Sequence, residues 1–121
     1  MQTLLPYPDF KKSLPTLDYR RLGKQRVESY QIIRAIKFGG GYGRHPVVRM
    51  WHGHVNALKH YYNLAIDEWV KRGYRNNIRK IAIRSKIAYP EWLNRKNFHA
   101  AHRSNLLRKD PEYYIGNCCC S

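Results

Sequence analysis

Acidic residues are scarce in this chain: 8 Asp and Glu stand against 23 Lys and Arg, a formal net charge of +15 over 121 residues. They are also scattered, as Asp9, Asp18, Glu28, Asp67, Glu68, Glu91, Asp110 and Glu112. No carboxylate cluster is left to hold the ions of a two-metal nuclease. Cysteine is confined to Cys118, Cys119 and Cys120. Adjacent thiols with no distant partner exclude a disulfide framework and fit a reducing compartment. Apolar runs of membrane-spanning length are missing, and Met1-Gln2-Thr3-Leu4-Leu5-Pro6 has neither the basic start nor the long apolar stretch of a signal peptide. An intracellular protein with no membrane partner is expected. The sequence also lacks a P-loop ending, a dinucleotide fingerprint and a serine nucleophile elbow. The pairs His52-Gly53-His54 and His99-Ala100-Ala101-His102 have neither HExxH spacing nor paired cysteines, so no metal and no cofactor is expected.

What is present points the other way. The chain is 43% hydrophobic and holds ten Tyr and three Trp, so it has the material for a core that disordered basic tails lack. Its length suits one domain, residues 1–121, with 117–121 as a frayed tail. A folded surface this positive seeks a polyanion, and nucleic acid is the commonest.

Along the chain, Pro6, Pro8 and Pro15 favour an extended segment lying across the surface over residues 1–16. Thr16 or Asp18 can cap a first long helix running to Phe38, which Gly39-Gly40-Gly41-Tyr42-Gly43 ends. That glycine run suits a connector, or a loop whose bare backbone lies against a phosphate. His45-Pro46 starts a second helical stretch whose Val55, Leu58, Tyr62, Ala65, Ile66 and Trp69 recur at core-facing spacing, with Gly73 as its stop. Asn76 to Ala88 fits neither helix nor strand period and reads as irregular backbone. A third helix is expected from Asn97 as cap to Lys109, stopped by Asp110-Pro111. The expected architecture is all-α: three principal helices joined by long irregular connections.

The first helix carries the chemistry. Helical advance places Arg20, Arg21, Lys24, Glu28 and Gln31 on one side and Leu22, Tyr30, Ile33 and Ile36 on the other. Glu28 is a lone acid in a positive field. It is either half of a helix-stabilising pair with Lys24 or a carboxylate available to reaction chemistry on a phosphate backbone. With carboxylate clusters excluded, one acid and an amine remain. An amine can attack C1′ of a nucleotide, displace the base and form an imine, and a carboxylate can then move protons through strand scission. A chain-terminal amine begins near pKa 7.7 to 8.0, roughly, against about 10.4 for lysine, so it is the cheaper nucleophile.

Leu17-Asp18, Leu22, Arg26 and Glu28, then Tyr42, His45-Pro46, Arg49 and Arg72-Gly73-Tyr74, resemble the pyrimidine-dimer DNA glycosylase family. His99-Ala100-Ala101-His102-Arg103-Ser104 and the Pro111 to Gly116 segment are similar to that family's C-terminal part. The resemblance implies an N-terminal segment packed between helices, bringing the terminal amine beside a glutamate. It implies Met1 as nucleophile and Glu28 as that glutamate, with the bulky Gln2 leaving Met1 in place. It further implies that Arg20, Arg21, Lys24 and Arg26 grip phosphates, together with His45, Arg103, Tyr113 and Tyr114, and that a nucleotide leaves the stack. The partner would be damaged double-stranded DNA, bound by a monomer, and the activity a glycosylase with abasic-site lyase chemistry.

Two rivals need less. A basic DNA-packaging protein that kept the fold and lost the reaction would bind through phosphate neutralisation alone. An RNA-binding protein would use its tyrosines for base stacking.

Overall fold

Asp9 opens the helical part of the chain by accepting a hydrogen bond from the Lys11 amide at 2.9 Å, capping a single turn, α1 (Phe10–Ser13). A 3-10 turn, Leu14–Thr16, follows, with Pro15 in its first positions. The computed structural model describes residues 3–38, 46–83 and 86–112. Its longer elements are α2 (Tyr19–Phe38), α4 (Val55–Lys71) and α5 (Lys96–Lys109), with a short α3 (Pro46–Met50) and a 3-10 turn at Glu91–Asn94. No strand occurs among the described residues, and the all-α architecture of three principal helices holds.

α2 begins where Asp18 predicts. The Asp18 carboxylate accepts from the Arg21 amide at 3.4 Å and pairs with the Arg21 guanidinium at 3.0 Å. The helix packs along α4. Its buried stripe is Leu22, Gln25, Ser29, Ile32, Ile33 and Ala35, so two polar residues occupy the middle of a core-facing seam. Ser29 resolves its own hydroxyl by donating to the Gln25 carbonyl one turn back. Tyr30, expected on the apolar side, is 39% exposed and lies tilted against Tyr62. On the other helix Ala57, Leu58, Tyr61, Tyr62, Ala65 and Ile66 are buried. Each large apolar side chain so buried contributes roughly 1.5–3 kcal/mol.

The second helical stretch is not continuous. It breaks over residues 51–54, where Gly53 takes φ +81° and the His54 amide donates to Trp51 O at 2.9 Å. Glycine reaches that left-handed conformation without a Cβ penalty, so α4 leaves in a new direction and Trp51 turns inward. Trp51 is fully buried and meets Trp92 edge-on at 5.0 Å, while Phe10 packs edge-on against Tyr61 at 5.4 Å. Gly73, at φ +87°, follows the end of α4 as expected.

Beyond α4 the backbone is irregular, and side chains of α4 satisfy it. Asn63 donates to Ile81 O at 2.7 Å and accepts from the Ile81 amide at 2.8 Å, Tyr62 donates to Arg79 O at 2.6 Å, and Asn56 donates to Lys86 O at 3.3 Å. Buried or half-buried backbone needs such partners when no ladder supplies them. The third long helix starts at Lys96, so Asn97 lies inside it. Arg95 occupies the cap position in an extended conformation with no side-chain cap bond.

The largest departure is at the N-terminus. Residues 3–6 are buried, with Leu4 6% and Leu5 0% exposed. The segment does not lie across the surface but threads among α2, α4 and α5, as the family resemblance implied. Prolines fixed its extended form; they said nothing about depth.

Candidate active site

An extended segment inside an all-helical protein has no ladder for its amides, and the backbone groups of Leu4 and Leu5 find side chains instead. The Leu4 amide donates to Gln25 Oε1 of α2 at 2.8 Å. The Tyr61 hydroxyl of α4 lies 2.9 Å from Leu4 O and 2.8 Å from Gln25 Oε1, sharing its one proton between two acceptors. Burial pushes the Tyr61 hydroxyl pKa far up, and the negative charge of Glu28 acts in the same direction, so it remains a donor. Trp51 Nε1 donates to Thr3 Oγ1 at 3.1 Å. Gln25 then hands the network outward, its Nε2 donating to Glu28 Oε2 at 3.3 Å.

Glu28 stands at the edge of an open cleft of about 920 Å³. Leu4 reaches this cleft from the buried strand, and Arg20, Arg21 and Lys24 line it from α2. Arg72 and Tyr74, after α4, and Lys109 and Asp110, at the end of α5, close the other sides. Arg72 is held in place, its Nε on Glu68 at 3.0 Å and its terminal nitrogen on Pro15 O at 2.9 Å. The rim is aromatic: Trp69 and Tyr74 lie 4.5 Å apart, and Tyr19 lies 6.1 Å from Tyr74. Gly23 makes room for that rim, since a Cβ there would meet the Trp69 ring at 3.1 Å. A glutamate among a girdle of cations, with Asp18 and Asp110 also on the lining and the exposed rings of Tyr19 and Tyr74 beside it, forms a surface suited to a nucleic-acid backbone and an unstacked base.

The structure therefore brings Arg20, Arg21, Lys24 and Glu28 together. It separates Arg26 and Arg103 from them. Arg26 turns onto the Trp69 ring at 4.7 Å and donates to Asn76 Oδ1, with its Nε buried without a hydrogen-bond partner. Burial lowers the pKa of this guanidinium. Arg103 donates to Pro6 O at 2.8 Å and lies over the Tyr7 ring at 5.3 Å. Both side chains are engaged with other parts of the fold and neither lines the cleft. Met1, His45, Tyr113 and Tyr114 lie outside the described residues, as do the 39–43 glycine run and Cys118 to Cys120. Sequence reasoning missed Gln25 and Tyr61, whose positions on the apolar stripes of α2 and α4 were the available signal. It also missed Lys109, which read only as a helix end.

The α5 histidines face inward. His102 Nδ1 accepts from the Leu5 amide at 2.9 Å, which leaves its proton on Nε2. His99 Nδ1 is 2.7 Å from Leu5 O and its Nε2 is 2.6 Å from Leu93 O. Burial, with His99 nearby, pushes the His102 pKa down from 6.5 to about 4. Above pH 6.5 the ring is neutral folded or unfolded and costs nothing. As pH falls from 6.5 towards 4 the unfolded chain takes up a proton that the folded chain refuses, so stability is lost across that window and levels off below it. With allowance for solvent screening the loss is about 2 kcal/mol. Urea midpoints at pH 7.5 and pH 4.5 should show it, and His102→Asn should remove that share of the difference.

Searches of curated proteins and of solved structures returned no match. The profile of one family does match, over residues 1–82, covering the threaded strand, α2 with its cations and Glu28, α4 and the Arg72 to Tyr74 corner. By that match over more than half of its length, the chain belongs to the pyrimidine dimer DNA glycosylase family.

Proposed function

We propose that the protein is a DNA glycosylase with abasic-site lyase activity on damaged pyrimidines in duplex DNA, working without a metal through an imine formed by the amine of Met1. The observation that carries this reading is the Leu4–Gln25–Glu28 chain of hydrogen bonds, which ties the buried N-terminal segment to the glutamate that lines the cation-rich cleft. Two residues span at most roughly 7 Å, so an amine at Met1 is tethered within that reach of buried Thr3.

In this reading Arg20, Arg21 and Lys24 hold phosphates on either side of the lesion. The amine attacks C1′ of the damaged nucleotide. The C1′–N bond breaks, the base leaves with its electron pair and takes a proton from solvent, and the C1′–O4′ bond opens as the imine forms, O4′ taking the proton that Glu28 receives from the amine. Glu28 accepts a proton from the amine and later assists removal of the C2′ proton, which expels the 3′ phosphate by elimination. Tyr19 and Tyr74, at the rim, offer faces to an unstacked base.

Borohydride reduces an imine to a stable amine. Incubation of the protein with duplex DNA bearing an abasic site or a pyrimidine dimer, in the presence of borohydride, should give a covalent adduct in which the reduced link maps to Met1. No adduct on either substrate, with DNA binding intact, would leave a basic DNA-binding protein.

A further inference from the structure

The second histidine pair, His99 and His102, has no part in the chemistry just described, and neither ring lines the cleft. The two residues sit one turn apart on α5, and each takes one polar end of the same residue. His102 accepts the Leu5 N–H at 2.9 Å, and His99 Nδ1 meets the Leu5 C=O at 2.7 Å. Leu4 is gripped from the opposite side by Gln25 and Tyr61. Resting on the amine-and-glutamate reading, we propose that His102 is a positioning residue: with His99 it fixes the register of the N-terminal strand, and so the placement of the amine against Glu28.

Hydrophobic burial alone does not set register. Leu4 and Leu5 are both buried apolar side chains of the same kind, and a strand without a ladder could slide by a residue and refill much of the same space. Such a slip moves the chain by about 3.3 Å and reverses the side-chain faces. Directional hydrogen bonds forbid it. Nδ1 of His102 is satisfied only when the amide of residue 5 stands opposite it, and the His99 ring, fixed at its other end on Leu93 O at 2.6 Å, is a rigid measure for the carbonyl. A displacement of about 1 Å at a reacting pair can cost on the order of 10²-fold in rate, so a clamp remote from the cleft has leverage on turnover without touching DNA.

The test compares His102→Leu, which removes the acceptor, with His102→Asn, whose side-chain oxygen takes the place of Nδ1. Single-turnover borohydride trapping on an abasic duplex at saturating protein is read beside the Kd for the same duplex. His102→Leu should trap about 10- to 100-fold more slowly with Kd unchanged within about twofold, and His102→Asn should recover to within about threefold of wild type. Equal trapping by wild type and His102→Leu overturns the proposal, as does a His102→Asn no faster than His102→Leu. If His102→Leu does not fold, His102→Gln carries the comparison. It keeps a carbonyl but holds it one bond further out, and should trap more slowly than His102→Asn; equal rates overturn the proposal. A wild type that traps nothing removes the imine reading and this proposal with it, whereas a trapping wild type beside an unaffected His102→Leu removes the clamp alone.

Discussion

Glu28→Gln should abolish strand scission, lowering single-turnover rates by about 10²- to 10⁴-fold, the range for loss of a positioned proton-transfer group. The substitution keeps size and a carbonyl oxygen for Gln25 Nε2, so the network that reaches Leu4 has no reason to collapse. Charge is what it removes. Arg20, Arg21 and Lys24 line the same cleft, and deleting a negative charge among them lets a phosphate backbone approach more closely. Duplex affinity should therefore hold or rise while scission disappears. Fluorescence anisotropy for binding and denaturing gels for scission separate the two. Binding and scission that both match wild type would show that the carboxylate takes no part in the reaction. Loss of both would place Glu28 in the scaffold.

Gln25→Leu should have the larger effect on stability. Gln25 is 1% exposed and is the point where α2, α4 and the N-terminal strand meet. Leucine leaves the buried Leu4 amide without its acceptor and takes one of two acceptors from the Tyr61 hydroxyl. An orphaned buried polar group costs about 1–3 kcal/mol, so urea unfolding should show a loss of about 2–4 kcal/mol. Trapping should fall as well, because the strand that carries the amine is released on the side facing Glu28. Tyr61→Phe is the control. It removes the hydroxyl that donates to Leu4 O but leaves the Leu4 amide on Gln25, and should cost about 1–2 kcal/mol, less than Gln25→Leu. If Gln25→Leu proves as stable as wild type, the strand is held by its leucines alone and the polar node is dispensable.

Much of this was legible in sequence, and the parts that were not share a cause. The boundaries of α2 followed from Asp18 and the glycines after Phe38, and the apolar stripe of α4 announced its buried face. The cations and Glu28 fell on one side of α2 by helical spacing alone. Gln25 and Ser29 were passed over because periodicity registers only apolar residues, while this seam is polar where it receives a strand. Arg26 looked identical to Arg20 in sequence. Its burial against Trp69 depends on α4 crossing α2 at Gly23, a contact between residues far apart in the chain. The break at Gly53 was missed for a related reason: a glycine within a helical pattern is tolerated or terminal according to whether its neighbours, here Trp51, have somewhere to pack.

By itself the sequence determined the helical class, the polyanion-seeking surface and the placement of one carboxylate among cations, because these follow from composition and from the fixed geometry of a helix turn. Tertiary structure alone decided which side chains hold residues 3–6 in the interior, among them the histidines on α5 that hold them from behind. An extended segment carries no internal hydrogen bonds, so nothing in its own sequence specifies its partners. They are supplied by side chains 21 and 97 positions away, and only the packed helices bring those within reach.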